Sequence, residues 1–117
     1  MLKDDFKVRD DFKDWMVRVD GQTQNVANSY AAYLNALFRE LYDEGFLPIQ
    51  NVWGVLDKAY HNYNNVHHCN NDRTYFNLIL AMVSYSVERA YNTPGCRITQ
   101  TDLNNGRSAL RKLNVFI

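Results

Sequence analysis

Apolar side chains recur every three or four residues along most of this chain, which is the spacing of one face of an α-helix. The clearest stretch follows Thr23, a residue that can cap a helix N-terminus, and ends at Gly45, which suits a left-handed C-terminal position. Its apolar positions form a wide stripe: Val26, Tyr30, Tyr33, Leu34, Leu37, Phe38 and Leu41. The pattern predicts a central helix that touches neighbours on more than one side.

One further helix is predicted before it and three after it. Each starts at a residue whose side chain can cap a helix: Asp10 or Asp11 for the first, Asn51 for the third, Asn71 or Asp72 for the fourth, and Thr101 for the last. The first ends at about Arg18, and the fourth is closed by Asn92, Pro94 and Gly95. The polar run NYNNVHHCNND, residues 62–72, is predicted to be a loop.

In each of these helices the apolar spacing marks one face as the buried one. The candidate core positions are Phe12, Trp15 and Met16, then Val52, Val55, Leu56, Ala59, Tyr60 and Tyr63, then Phe76, Ile79, Leu80, Val83, Val87 and Ala90, and finally Leu103, Leu110, Leu113, Phe116 and Ile117. No stretch shows sustained alternation of apolar and polar residues between turns. We therefore expect an all-α fold, a compact bundle of about five helices.

Length and composition limit the chain to one globular unit. A chain of 117 residues builds one hydrophobic core, and no linker rich in proline or serine divides it, so we expect a single domain over 1–117. Hydrophobic residues make up 46% of the chain and charged residues 22%, which excludes disorder throughout.

The sequence shows neither a secretory signal nor a membrane span. The first residues alternate charges and aromatics without an apolar core, and the longest apolar stretch, 78–87, is far shorter than the ~20 residues that cross a bilayer. We therefore expect a cytoplasmic protein that makes no membrane contact. In that compartment Cys69 and Cys96 are expected as thiols.

The net charge of zero hides an uneven distribution. Residues 97–117 hold four basic side chains and one acidic one, while the rest of the chain is mildly acidic. Arg107, Arg111 and Lys112 fall on one face of the last helix, and Arg97 precedes it. Such a patch either faces phosphates or is a solvated face whose cations are favoured by the helix dipole.

Two passages resemble a known type of DNA-binding domain. Residues 11–41 carry an F-x-x-W first helix (Phe12, Trp15), a polar turn over 20–24, and an S-Y-x-x-x-L core that starts at Ser29, and residues 108–112 read SALRK. Together they resemble the SAM-like, core-binding domain at the N-terminus of tyrosine recombinases (phage integrases) and of some restriction-type nucleases. Val26 stands where that family places a threonine, and residues 1–117 show no counterpart of the recombinase catalytic Arg, His and Tyr set.

The resemblance implies a non-catalytic accessory module of a phage or mobile element that binds duplex DNA, with the last helix packed on the second. The implied phosphate contacts are Lys13, Arg18, Arg97, Arg107, Arg111 and Lys112. The N-terminus of the second helix adds Thr23, Gln24, Asn25 and Asn28, whose side chains can reach phosphates or base edges. For these four, helix capping and simple exposure are the alternative.

Catalytic, cofactor and metal chemistry are weakly indicated. No phosphate-binding or dinucleotide-binding glycine motif and no G-x-S-x-G string is present, so we expect neither an enzyme nor a cofactor. The densest set of potential metal ligands is His61, His67, His68, Cys69 and Asp72. Its H-x5-H-H-C spacing matches no paired-ligand pattern, so surface histidines are the simpler interpretation and no metal is expected.

A second function class fits the same composition. Tyr60, Tyr63, Tyr75, Tyr85 and Tyr91 either pack at the core and rim, stack on a single strand, or form a Tyr-rich surface. A neutral helical domain with such a surface is typical of a small protein-binding adaptor or inhibitor, for example of a host defence nuclease. The terminal Phe116 and Ile117 either dock into the core or pack on another copy, which would give a homodimer.

Overall fold

The computed structural model describes residues 6–62 and 70–117, with side chains for 6–60 and 74–117. The described residues form five helices and the connections between them. The helices are α1 (Lys7–Arg18), α2 (Gln24–Asp43), α3 (Val52–Asn62), α4 (Asn70–Tyr91) and α5 (Gln100–Phe116). These residues form no strand. The all-α prediction is confirmed. Most of the predicted loop over 62–72 lies outside the described residues, and α4 begins at Asn70, just before the predicted Asn71 or Asp72.

Two of the predicted caps are present. The Thr23 hydroxyl accepts a hydrogen bond from the backbone N–H of Val26 at 3.2 Å, and Asn51 Oδ1 accepts one from the N–H of Gly54 at 3.1 Å. Each satisfies an N–H group that has no partner within the first turn of its helix. Local sequence was sufficient to place the starts of α2 and α3.

The predicted starts of α1 and α5 were wrong. Helix α1 begins one turn before Asp10, after Phe6, whose side chain makes no capping hydrogen bond. The N–H of Val8 is satisfied instead by Asp57 Oδ1 of α3, at 2.8 Å. Helix α5 is capped by Thr99 rather than Thr101, because the Thr99 hydroxyl accepts from the N–H of Asp102 at 3.1 Å.

The core follows the predicted apolar faces, and α4 matches its prediction at every position. Its buried apolar residues, among the described side chains, are those expected: Phe76, Ile79, Leu80, Val83, Val87 and Ala90. In the N-terminal half of α2 the buried residues are two small ones that the prediction omitted, Ala27 and Ala31, while Val26, Tyr30 and Tyr33 are only partly buried.

Helices α2 and α5 share the largest helix–helix interface in the described part of the chain, and they run antiparallel. Gly106 of α5 lies against Leu37, and a Cβ at this glycine would be 2.8 Å from Leu37 Cδ1. The missing side chain therefore allows the two backbones to approach closely. Packing of the last helix on the second, as the resemblance implied, is present.

The end of the chain docks into the core. The Phe116 ring lies 5.7 Å from the rings of Phe12 and Trp15 and 6.1 Å from that of Tyr60, and Ile117 is buried. Of the two alternatives for this terminus, docking is the one observed. Among the described residues, no helix is both long and apolar enough to cross a bilayer.

Candidate interaction surface

Helix α4 has a second apolar face in addition to its buried one. Four large side chains along one exposed edge keep much of their surface in solvent: Tyr75 is 44% exposed, Leu78 61%, Met82 36% and Tyr85 67%. Their spacing of three, four and three residues places them in one row along the helix. We call these four residues the α4 stripe.

Helix α4 itself carries no charged residue along the stripe for more than three turns. Thr74, Asn77, Ala81 and Ser84 are the other exposed residues of α4 before Glu88, and the sequence has no charged residue from 74 to 87. Depletion of charge around exposed aromatics is a property of interface cores rather than of ordinary solvated helix faces. We call the stripe and these four residues together the α4 face.

The C-terminal end of the stripe is held by a cation and a buried hydroxyl. The guanidinium of Arg89 lies 5.9 Å from the centre of the Tyr85 ring and 5.5 Å from that of Phe46. The Ser86 hydroxyl, which is buried, is 2.8 Å from the Phe46 carbonyl oxygen and can donate to it. These contacts fix the α2–α3 connection beside the stripe and orient Tyr85.

A groove of about 280 Å³ separates α4 from α5 and brings two predicted DNA contacts to the edge of the α4 face. Arg107 and Arg111 line it together with Tyr85, Leu110 and Asn114. Arg107 is held there by a 2.6 Å ion pair with Glu88. Its guanidinium also stacks on Tyr91, 4.7 Å from the ring centre.

Lys112, which follows Arg111 in sequence, contacts a different part of the bundle. Its amine lies 2.7 Å from Asp20 Oδ2, in the turn before α2. The hydrogen bond from Lys112, supported by one from Gln22, holds the pKa of Asp20 below its ordinary value. On α1, Arg18 pairs with Asp14 at 2.8 Å. Three of the predicted phosphate contacts therefore have carboxylate partners within the chain.

Arg97 lies at the other end of the α2–α5 pair from Lys112. It lines a small cavity of about 140 Å³ with Glu40, Asp43 and Glu44. Burial and the neighbouring Asp102 carboxylate raise the pKa of Glu40. Among the described residues, its Oε1 is a buried oxygen with no hydrogen-bond partner. An acidic surrounding of this kind repels phosphate.

The last of the predicted phosphate contacts, Lys13, is half-buried on α1. The cations of the predicted patch therefore lie at separate places on the bundle, and they do not form one continuous basic surface.

Three of the four predicted contacts at the N-terminus of α2 make hydrogen bonds within the helix. Thr23 caps the helix, and the Gln24 amide donates to Asn28 Oδ1 at 3.0 Å. Asn25 is exposed. Capping, the structural alternative for this group, is observed at Thr23, and base or phosphate contact by the four residues stays a prediction.

Of the five tyrosines named from the sequence, the four whose side chains are described divide into two groups. Tyr60 donates to Asp11 at 2.6 Å, and Tyr91 donates to Asn104, so both are tied into the bundle. Tyr75 and Tyr85 project from α4, and Tyr63 lies outside the described residues. The prediction missed Leu78 and Met82 as surface residues, although a second row of apolar positions, offset from the buried one, is visible in the sequence.

Two other candidate sites give less support for a function: the predicted metal ligands and a cleft between α1, α2 and α3. The side chains of His61, His67, His68, Cys69 and Asp72 lie outside those that the structure describes, and elsewhere no three His, Cys, Asp or Glu groups converge as metal ligands. A wider cleft of about 430 Å³ between α1, α2 and α3 is lined by Arg9, Arg39 and Trp53. It contains none of the predicted site residues. Its Asn35 Oδ1 already accepts from the Trp53 indole N–H at 2.6 Å.

No protein-family model, no curated protein and no solved structure matches this chain. The resemblance to core-binding domains therefore stays a prediction, and function is argued from the surface itself.

Proposed function

We propose that this chain is a small protein-binding helical bundle whose contact surface is the α4 face. The observation that carries the proposal is the α4 stripe, in which two tyrosines, a leucine and a methionine form an exposed row on a segment of α4, residues 74–87, that has no charged residue. Exposed tyrosines on a rigid helix lose little conformational entropy on binding and bury much area, which is why they are frequent anchors of interfaces.

The rest of the surface supports the choice of this face. Val19, which follows α1, and Val115 of α5, both 71% exposed, are single large apolar residues, which is normal for a monomer surface. The α4 stripe groups four in a row, an apolar patch of roughly 300–400 Å² by the usual areas of such side chains. A patch of that size is comparable to the largest ones on ordinary monomers, which are often functional.

Duplex DNA binding is less well supported by the geometry. Arg18, Arg107 and Lys112 each lie within 3 Å of a carboxylate oxygen, and Arg97 borders an acidic cavity. A phosphate would have to compete with those carboxylates for the same cations, which reduces the electrostatic gain. The exposed α4 face supports the adaptor or inhibitor hypothesis better than it supports DNA binding.

Comparative co-purification tests the proposal. The tagged wild type, Leu78→Asp and Val115→Asp are each recovered from the cells that produce the protein, and the co-purifying proteins are quantified. Both substitutions place a carboxylate at a highly exposed apolar position, so neither should unfold the bundle. We expect Leu78→Asp alone to lose specific partners by at least tenfold. Equal recovery with wild type and Leu78→Asp would contradict a role for the α4 face.

A further inference from the structure

The α4 stripe reads almost the same in both directions. From Tyr75 the spacing is three, four and three residues, and the side chains run aromatic, aliphatic, aliphatic, aromatic. A row that is symmetric in spacing and chemistry is complementary to a reversed copy of itself. From this symmetry, and resting on the proposed function, we propose that the occupant of the α4 face is a second copy of this chain, with the two α4 helices antiparallel.

An antiparallel pair centred at the level of residue 80 matches every member of the stripe. Tyr75 then faces Tyr85 of the second copy, and Leu78 faces Met82 of the second copy, each twice by symmetry. The three–four spacing is that of the packed seam between two helices in a coiled coil. A two-fold interface of this kind uses one patch on both copies, as most homodimers do.

Charge favours this direction over the parallel one. Among the described side chains, the charges nearest the stripe lie at its C-terminal end: Glu88 and Arg89 on α4, with Arg107 and Arg111 across the groove. In a parallel, in-register pair each would lie beside its own equivalent, which is repulsive. In the antiparallel pair the two copies of Arg89 are separated by about 27 Å along the axis, at 1.5 Å per residue. The formal net charge of zero adds no long-range repulsion between copies.

The small residues beside the stripe allow close contact. Ala81 and Ser84 are exposed between Leu78 and Tyr85, and neither is large enough to hold a second helix away. The area that the α4 face can bury is smaller than the area buried in a standard stable interface. We therefore expect a weak dimer, with a Kd on the order of 10–100 µM.

Sedimentation of the purified chain tests the association. Over roughly 5–500 µM, chosen to bracket that Kd, we expect the weight-average mass to rise from 13.7 kDa towards twice that value. Leu78→Asp should raise the Kd at least tenfold, while Val115→Asp should leave it unchanged. A wild type that stays monomeric over the whole range would overturn the inference, as would a dimer insensitive to Leu78→Asp. Circular dichroism checks that both variants keep the helical fold.

Disulfide trapping tests the direction. In a background in which Cys69 and Cys96 are replaced by alanine, Tyr75→Cys and Tyr85→Cys chains are oxidised separately and as an equimolar mixture. We expect disulfide-linked dimers to form at least fivefold faster in the mixture, and to join one chain of each kind. Faster linkage of either variant to itself would indicate parallel pairing and overturn the antiparallel arrangement.

These results are separable from the proposed function. A monomeric wild type whose co-purifying proteins still depend on Leu78 would reject the second copy and keep the protein-binding role. A chain that is monomeric and has no Leu78-dependent partner would reject both.

Discussion

The amine of Lys112 lies 2.7 Å from Asp20 Oδ2, so that a residue of the last helix is joined to the turn before α2 across 92 positions of sequence. The same oxygen accepts a hydrogen bond from Gln22. Lys112 was predicted as a phosphate contact because of its position in a basic cluster. The structure assigns it a partner within the bundle, where it ties α5 to the start of α2.

This ion pair makes stability depend on pH. The pKa of Asp20 is lowered by the hydrogen bond from Lys112, so its ionised form stabilises the fold above the ordinary pKa of 3.8, and the contribution is lost as pH falls through the lowered pKa. We expect Asp20→Asn to lower the Tm at pH 7, by an amount that shrinks as the pH falls below 3.8. Asp14→Asn, at the more exposed pair with Arg18, should have a smaller effect. A Tm difference that is independent of pH would contradict the role of Asp20.

Ionisation of Glu40 should have the opposite effect on stability to ionisation of Asp20. Its raised pKa, caused by burial and by the Asp102 carboxylate, means that ionisation destabilises the fold as pH rises from its ordinary value of 4.5 through the raised one. We expect Glu40→Gln to stabilise the protein at pH 7 by about 0.5 kcal/mol, a size typical of surface charge interactions. Chemical denaturation at pH 7 and pH 3 measures it. A gain that is equal at both values would show that charge is not the cause.

The contact between Gly106 and Leu37 predicts a cost for adding one methyl group. Alanine is the better helix former by about 1 kcal/mol, yet overpacking a helix interface costs about 1–3 kcal/mol. Because the added Cβ would also be 3.0 Å from Leu37 Cβ, which cannot rotate away, we expect Gly106→Ala to destabilise by about 1 kcal/mol net.

Denaturation measurements with a matched control decide this point. Ser108→Ala, at an exposed position of the same helix, should leave stability unchanged or slightly increased. In a Leu37→Ala background, where the Leu37 side chain that the added Cβ would meet is shortened, Gly106→Ala should no longer lower the free energy of unfolding. A Gly106→Ala protein more stable than the wild type would show that α2 and α5 separate at little cost.

Duplex DNA provides the test of the competing function. We expect fluorescence anisotropy to detect no binding of a labelled random duplex at 50 mM salt, since the cations of the predicted patch are divided and several are paired. Binding that falls steeply with salt, and that is abolished by Arg107→Glu combined with Arg111→Glu, would restore the DNA-binding prediction and make the α4 face secondary.

Local patterns were enough for the fold class and for much of the core. The buried face of α4 and the caps Thr23 and Asn51 depend on residues within a few positions of each other, which periodicity and side-chain chemistry capture. The start of α1 was missed because its acceptor, Asp57, lies 49 residues away. No property of the residues near Phe6 indicates that partner.

Only part of the candidate interaction surface could be predicted from the sequence, for a similar reason. Helical spacing placed Arg107 and Arg111 together, but Glu88, which pairs with Arg107, comes from another helix. Tyr75 and Tyr85 were identified as aromatic candidates, yet their exposure depends on which side of α4 the rest of the bundle covers. When a helix has apolar residues on two sides, only its packing shows which side is left in solvent.

Photo-crosslinking at Tyr85 tests the role of the α4 face most directly. Tyr85 is replaced by p-benzoylphenylalanine in the cells that produce the protein, with the same replacement at Val115, which is exposed to a similar degree, as the control. We expect irradiation to give discrete adducts from position 85 and none from position 115. If the second copy is the occupant, the adduct has twice the mass of the chain. Absence of adducts at position 85, or the same adducts at position 115, would contradict an interface on α4.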